Sequence, residues 1–519
     1  MLAKAVSYYY HELQKLVASL SPKGLLEWLL ARTEAAVRRA RIEQVVTPTR
    51  LACYSSEPKM IEEMVKQYPK LADVALANRF LIEYVTAQPP RRLRRISLGV
   101  YDRMLALAHL ITSFGVESDM IQYELHNYGF KILPSGRLGA NRDENERAHA
   151  AFRRIFAAGE IRRATRSFDR HFVTHRKEPL KPDLIDQMDP ATKIEFGYAA
   201  SELLDLVRET GEIGEEISHV VCCLPRDDFV SRLSNRLGWP KERVFNVIES
   251  LSLGPRTEFL SPGPPFRKED TYPWRFNRSL SYVRRPFLLR TREGVQEILW
   301  GPRHLFNAAA YFVWLCAGRL KAQSKEMRQL MGEFHRRDGE QFNDSVADLF
   351  EQHVRLTVRR RVKKVGKLRG ATGLPGEIDV LVADSTRCVL LVIECKDLSV
   401  ARMPHELRNE LVEFFLGEQG KKSFIQKHTE KVTWVRANLS SVLEWMKLAP
   451  SPKWRVEDIL VVDQELLTPF LVKSKARVTP FAELAAQLDQ HGWLAMPESG
   501  TVSVKEVRGK SRPRRTRRR

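Results

Sequence analysis

Through residues 1–215, apolar side chains recur at helical spacing. Leu13, Leu16, Val17 and Leu20 form one such stripe, and Leu105, Leu107, Leu110 and Ile111 form another. A helical domain is expected there. Arginines punctuate it at 91, 92, 94 and 95, and again at 153, 154, 162, 163 and 166. Such runs read either as solvated helix faces or as a surface that tracks phosphates. Residues 216–260 hold two short amphipathic segments around a turn. Ser234 is a small residue where two helices would cross, Gly238 suits the turn, and Val244 is a branched apolar residue to seat the second helix. Phe229, Leu233, Leu237, Val247, Ile248 and Leu251 supply the supporting stripe, and Pro240 suits a first helical turn. This is a candidate helix-turn-helix, whose second helix would present Lys241, Glu242, Arg243 and Asn246 to DNA. A helical hairpin without a DNA role carries the same pattern. Six prolines fall within residues 254–286, so a Pro-rich linker followed by a helix is expected over 261–335. Trp300, Leu305, Ala309, Phe312 and Leu315 are its core candidates.

The period changes in the C-terminal part. Phe342, Val346, Leu349 and Phe350 mark an amphipathic helix, and a basic stretch, RRRVKKVGKLRG, follows it. Ile378, Val380 and Val382 then alternate with Asp379, Leu381 and Ala383, as in a strand. Residues 384–387 read as a turn, and 388–393 as an unbroken apolar strand buried on both faces. If these strands pair as a hairpin, Asp379 falls opposite Glu394 or one pair away, with Cβ atoms about 5 Å apart. Lys396, two residues past Glu394, points to the same face. Carboxylates held that close repel each other, and a hard cation such as Mg²⁺ relieves the repulsion. Lys396 could then serve a water attacking a phosphodiester.

GEID followed, after fourteen residues, by Glu394-Cys395-Lys396 resembles the restriction-endonuclease-like PD-(D/E)xK nuclease superfamily. The resemblance covers residues 336–480. It implies a C-terminal α/β domain with a mixed central sheet flanked by helices, which cuts nucleic acid with Mg²⁺, for which Mn²⁺ can substitute. It implies that Asp379, Glu394 and the backbone carbonyl of Cys395 bind metal, and that Lys396 positions the attacking water. Ile378 stands where the family has Pro, and Asn343 where it often has a helix-borne Glu. Glu340 and Asp344 turn away from the apolar face of that helix. Glu377, on the same strand face as Asp379, is the candidate substitute. The family usually places a basic or Gln-bearing helix beside the site. Lys421, Lys422, Gln426, Lys427 and Lys431 would fill that role as nucleic-acid contacts. His353, His405 and His428 lack metal spacing and read as structural.

Composition sharpens the choice of partner. The 519 residues carry a net charge of +21, with 43% apolar and 29% charged residues, which suits several folded domains and a polyanionic partner. Residues 505–519 hold nine Lys or Arg and one acid, so a basic character survives without them. Residues 481–519 are expected to form a C-terminal helix and a disordered basic tail. The six cysteines include no CxxC pair and sit among apolar neighbours, which points to buried thiols in a reducing compartment. No signal-peptide layout or apolar run of about 20 residues is evident, so a cytoplasmic protein without a membrane partner is expected. The P-loop pattern is also missing. The expected whole is multidomain: a mostly helical N-terminal half with the helix-turn-helix, then the nuclease-like α/β domain. DNA is the expected partner, and by the resemblance a homodimer is one arrangement. Two rival readings fit parts of the chain. One is a non-catalytic DNA-binding protein on a degenerate nuclease fold. The other is a helical interaction scaffold, which leaves 376–396 unexplained.

Overall fold

The structure, a computed structural model, describes residues 2–54, 58–126, 129–141, 146–153, 156, 159, 183–217, 220–365, 373–398, 403–472 and 476–493. The chain divides into two compact units, 1–124 with 160–337 and 125–159 with 338–519. The strands in chain order are β1 (Gly129–Ile132), β2 (Leu138–Asn141), β3 (Cys222–Pro225), β4 (Ser252–Leu253), β5 (Phe287–Arg292), β6 (Val295–Trp300), β7 (Leu356–Val362), β8 (Ile378–Asp384), β9 (Val389–Lys396), β10 (Arg455–Val462) and β11 (Val478–Pro480). Arg154, Arg162, Arg163, Arg166 and the basic tail lie outside the described residues.

The first unit opens with helices α1 (Leu2–Ala18), α2 (Leu25–Cys53), α3 (Pro58–Ala87) and α4 (Leu98–Gln122). The expected stripe of Leu13, Leu16, Val17 and Leu20 is buried in one core with Leu25, Leu29, Phe80 and Met104. Within that core the Asn78 amide donates to the Leu29 carbonyl (3.1 Å) and to Thr33 (2.8 Å), and accepts from Tyr101 (3.1 Å). Its polar atoms are thereby satisfied. Contrary to expectation, α4 is long and apolar enough to cross a membrane by length and composition. In this fold its Met104, Ala108 and Ile111 are buried in the helical core. Arg91 and Arg92 sit on the connection between α3 and α4, not on a helix face.

A four-stranded sheet of order β3-β6-β5-β4 follows in the same unit. It was not anticipated. Leu288 and Leu299 face the helical core, whereas Phe287, Ile298 and Trp300 face a second core. The β5–β6 hairpin turns at Glu293 (φ 52°) and Gly294 (φ 81°), two positive values in a two-residue loop. Such a loop matches the twist of paired strands. Two helices, Arg226–Leu237 and Lys241–Ser250, flank Gly238, whose φ is 67°, an arrangement shared by the expected helix-turn-helix and by a plain helical hairpin. Ser234 Oγ donates to the Trp239 carbonyl at 2.6 Å, Val244 is fully buried, and Phe229 packs on Trp300. Pro240 caps the second helix and does not enter its first turn. Residues 254–286, expected as a linker, pack as core: Phe259, Leu280 and Tyr282 are buried. Prolines erase periodicity there, but irregularly spaced aromatics still fill the space under α3.

The second unit is built on the mixed sheet β11-β10-β9-β8-β7. Strand β9 sits at its centre, antiparallel to β8 and parallel to β10. All of β9 up to Cys395 is buried, as its unbroken apolar run predicts. On one face Val380, Val382, Leu391 and Ile393 meet Val346 and Phe350 of helix Lys325–Glu351, together with Leu484 and Leu488 of helix Phe481–His491. On the other face Leu381, Leu390 and Val392 meet Val432 and Val435 of helix Phe424–Ala437, and Val442 and Leu443 of helix Leu439–Trp445. The sheet is thus covered on both sides. The six thiols are free; Cys222, Cys316 and Cys395 are buried, but Cys53, at the last turn of α2, is exposed.

Candidate active site

The hairpin of β8 and β9 sets the geometry. Val380 lies opposite Ile393, so the same register brings Asp379 level with Glu394. The connection runs through residues 385–388, with Cys388 at a φ of 50°. Asp384, fully buried, anchors that turn by accepting from the amides of Thr386 (2.9 Å) and Arg387 (3.1 Å). Asp379 Oδ2 reaches across to accept the Cys395 N–H at 2.8 Å. Its Oδ1 accepts no hydrogen bond from a described residue. Glu394 is buried and takes an ammonium on each oxygen: Lys396 Nζ at 2.8 Å on Oε1 and Lys431 Nζ at 2.6 Å on Oε2. Lys396 also stands 4.9 Å above the Phe424 ring. The group lies at the carboxyl end of the central strand, where open α/β sheets commonly present ligand sites.

The charges are interdependent. Burial, reinforced by Glu394, pushes the Asp379 carboxyl up to about 6, against the pull of Lys396 and Lys431. Burial also opposes ionisation of Glu394, but Lys396 and Lys431 outweigh it and hold that carboxyl below its ordinary value. Lys396 goes up: burial works against its charge, and Glu394 and Asp379 prevail. Two carboxylates and two ammoniums therefore compensate each other in a largely dry place. Two carboxylates whose environments drive their pKa values apart are a pattern of working sites and also of structural ion-pair networks.

Lys431 was expected to touch phosphate; it is instead buried against Glu394. Its helix seats it there because His428, Lys431, Val432 and Val435 share the buried side. His428, read as structural, is buried beside the site, with Nε2 3.7 Å from Asp458 Oδ2. Neither of its ring nitrogens has a hydrogen-bond partner among the described residues. Burial lowers its pKa, and Glu394 and Asp458 act the other way. Spacing on the helix could have flagged His428 and Lys431 as a pair facing the sheet.

The remaining candidates are dispersed. Lys421, Lys422 and Lys427 are exposed, and Lys422 pairs with Glu430 at 2.5 Å. Gln426 is spent on a capping box: it accepts the Ser423 N–H at 2.8 Å while Ser423 accepts the Gln426 N–H. Glu377, just before β8, pairs with Lys363 at 3.5 Å. Asp344 is held by Arg361 at 2.6 Å, away from the carboxylate pair's own partners. In the first unit, Arg243 is held by Glu202 at 2.7 Å and lies over the Trp239 ring, whereas Asn246 is exposed.

The donor set fits a hard cation only in its leanest form. Among the described residues no three His, Cys, Asp or Glu side chains gather as a metal cluster. Mg²⁺ nevertheless often binds through one or two carboxylates and keeps several waters. Asp379 with its open Oδ1, and Glu394 if one of its two lysines yields an oxygen, would be those carboxylates.

No curated protein and no solved structure matches the chain. A family description, anti-phage protein Upx-like, matches residues 1–451, a span that takes in the helical half, the β8–β9 hairpin and helix Phe424–Ala437. The chain belongs to the Upx-like anti-phage protein family.

Proposed function

We propose that this protein defends against phage as a Mg²⁺-dependent nuclease hydrolysing phosphodiester bonds of DNA, in the manner of the PD-(D/E)xK nucleases that residues 336–480 resemble. One observation carries the reading: Asp379, Glu394 and Lys396 converge at the carboxyl end of a buried central strand. Asp379 and Glu394, with the Cys395 carbonyl, would hold the cation. Once bound, it would supply Lewis-acid stabilisation of the phosphorane. Glu394 fixes the Lys396 ammonium and keeps it protonated. From there the ammonium hydrogen-bonds the attacking water and offsets the negative charge that develops on the phosphoryl oxygens. Lys431 keeps Glu394 ionised by holding its second oxygen. Asp379 acts in its ionised form, so its proton competes with the cation and apparent Mg²⁺ affinity should fall as pH drops below about 6.

The second reading, DNA binding without cleavage, is favoured by one feature. Both Glu394 oxygens already have ammonium partners, so the cluster is closed upon itself. Supercoiled-plasmid nicking separates the two. Magnesium-dependent nicking by the parent protein and at least a hundredfold loss in Lys396→Ala support the nuclease. Intact DNA retardation in a gel with no nicking by either protein would overturn it in favour of the binder.

A further inference from the structure

In the first unit, a cavity of about 330 Å³ opens between the end of helix Lys241–Ser250 and the helix Pro302–Cys316. Its wall is aromatic and apolar: Tyr198, Phe312, Phe266 and Leu203 line it, and Phe196 stacks on Tyr198 at 5.9 Å. Two consecutive arginines, Arg284 and Arg285, line it as well. Arg285 donates to the carbonyls of Ser279 (3.3 Å) and Ser252 (3.1 Å) and lies over the Phe266 ring. Arg284 makes no side-chain hydrogen bond or ion pair to a described residue. The carboxylates nearby are otherwise engaged. Glu195, also on the wall, accepts the Gln323 and Ser324 amides at 2.8 and 2.7 Å. Asp270 accepts the Arg267 and Ser279 amides. Glu249 pairs with Arg226.

Two adjacent arginines repel each other, and burial adds to the cost; Arg285 is held below its ordinary pKa by burial and by Arg284, against the pull of Tyr198, Glu249 and Asp270. A dianion would relieve both penalties. A phosphomonoester carries nearly two charges at neutral pH and presents several acceptor oxygens, which suits a guanidinium pair better than a single carboxylate does. The rest of the wall suits a flat apolar body, and the volume is at the small end of ligand cavities.

We propose that this cavity binds a small aromatic phosphomonoester of nucleoside-monophosphate size, with Arg284 and Arg285 on the phosphate and Tyr198 and Phe312 against the ring. This site is independent of the nuclease reading. The test is equilibrium dialysis of the full-length protein against AMP, GMP, CMP and UMP, with adenosine and inorganic phosphate as separate arms. At least one nucleotide should bind more tightly than either fragment. Arg284→Ala should weaken it by roughly tenfold or more, and Arg284→Lys by less, since Lys restores charge without the bidentate fork. Arg284 makes no side-chain hydrogen bond or ion pair to a described residue and meets Asp270 and Tyr198 only through longer-range electrostatics, so its variants should melt close to the parent. Absence of binding by all four nucleotides would overturn the proposal. So would binding unchanged in Arg284→Ala, or binding of inorganic phosphate as tight as that of the nucleotide.

Discussion

Asp379 is a group whose place in the fold works against its charge. Its carboxyl is pushed to about 6, against roughly 3.9 in an unfolded chain. Between about pH 4 and pH 6 the folded protein therefore binds more protons than the unfolded one, and stability falls as pH rises through that window. Glu394 works in the opposite sense: its lowered pKa gives stability above its unfolded value that is lost as pH falls through the folded one. Asp379→Asn removes the charge and keeps a carbonyl for the Cys395 amide. At pH 7 that variant should be more stable than the parent by about 1–3 kcal/mol, with a flatter melting profile between about pH 4 and 6, and without nicking activity. Thermal melts across pH measure this directly, and a variant less stable than the parent at pH 7 would sink the burial argument. At this scale the juxtaposition of Asp379, Glu394 and Lys396 was legible, because strand alternation and hairpin register are local properties. Lys431 was not legible as their partner. It lies 37 positions from Glu394, and only tertiary packing decides that it meets a carboxylate instead of solvent.

Elements were readable where one periodicity ruled. The two helices around Gly238 and the β8–β9 hairpin follow from apolar spacing and turn residues alone. The β5–β6 hairpin carried a signal that went unread, a Glu-Gly pair between two apolar runs. The proline-laden stretch before it obscured that signal, although Phe259 and Tyr282 within it are core residues. Helix Phe424–Ala437 shows how an element can redirect a residue's meaning. Its basic sequence suggested a phosphate-tracking face, but Gln426 closes its capping box with Ser423 and Lys431 pins it to the sheet. Ser423→Ala should cost about 1 kcal/mol of stability, and Gln426→Ala about 0.5–1 kcal/mol. Urea unfolding followed by circular dichroism would measure both. DNA affinity in Gln426→Ala should stay within twofold of the parent; a larger loss would return Gln426 to the interface.

Charge belongs to the whole molecule. The net +21 is shared between residues 1–504 and residues 505–519, whose nine basic residues and one acid supply +8. A polyanion gains from every one of these charges, but the tail and the site should contribute to different observables. Phosphate contacts release counterions, so each lost contact lowers the slope of log affinity against log salt by about 0.9 on duplex DNA. Cleavage depends instead on the geometry at Asp379, Glu394 and Lys396, which strands β8 and β9 set. Deleting 505–519 should therefore weaken DNA binding at low salt and reduce the salt slope by up to about 7. The magnesium requirement of nicking and its rate at saturating DNA should be unchanged. Filter binding across a salt series, paired with nicking at saturating plasmid, reads the two separately. An unchanged slope would mean that the folded surface supplies the phosphate contacts by itself. A collapse of the saturated rate with affinity restored at low salt would assign the tail a part in the cleavage step.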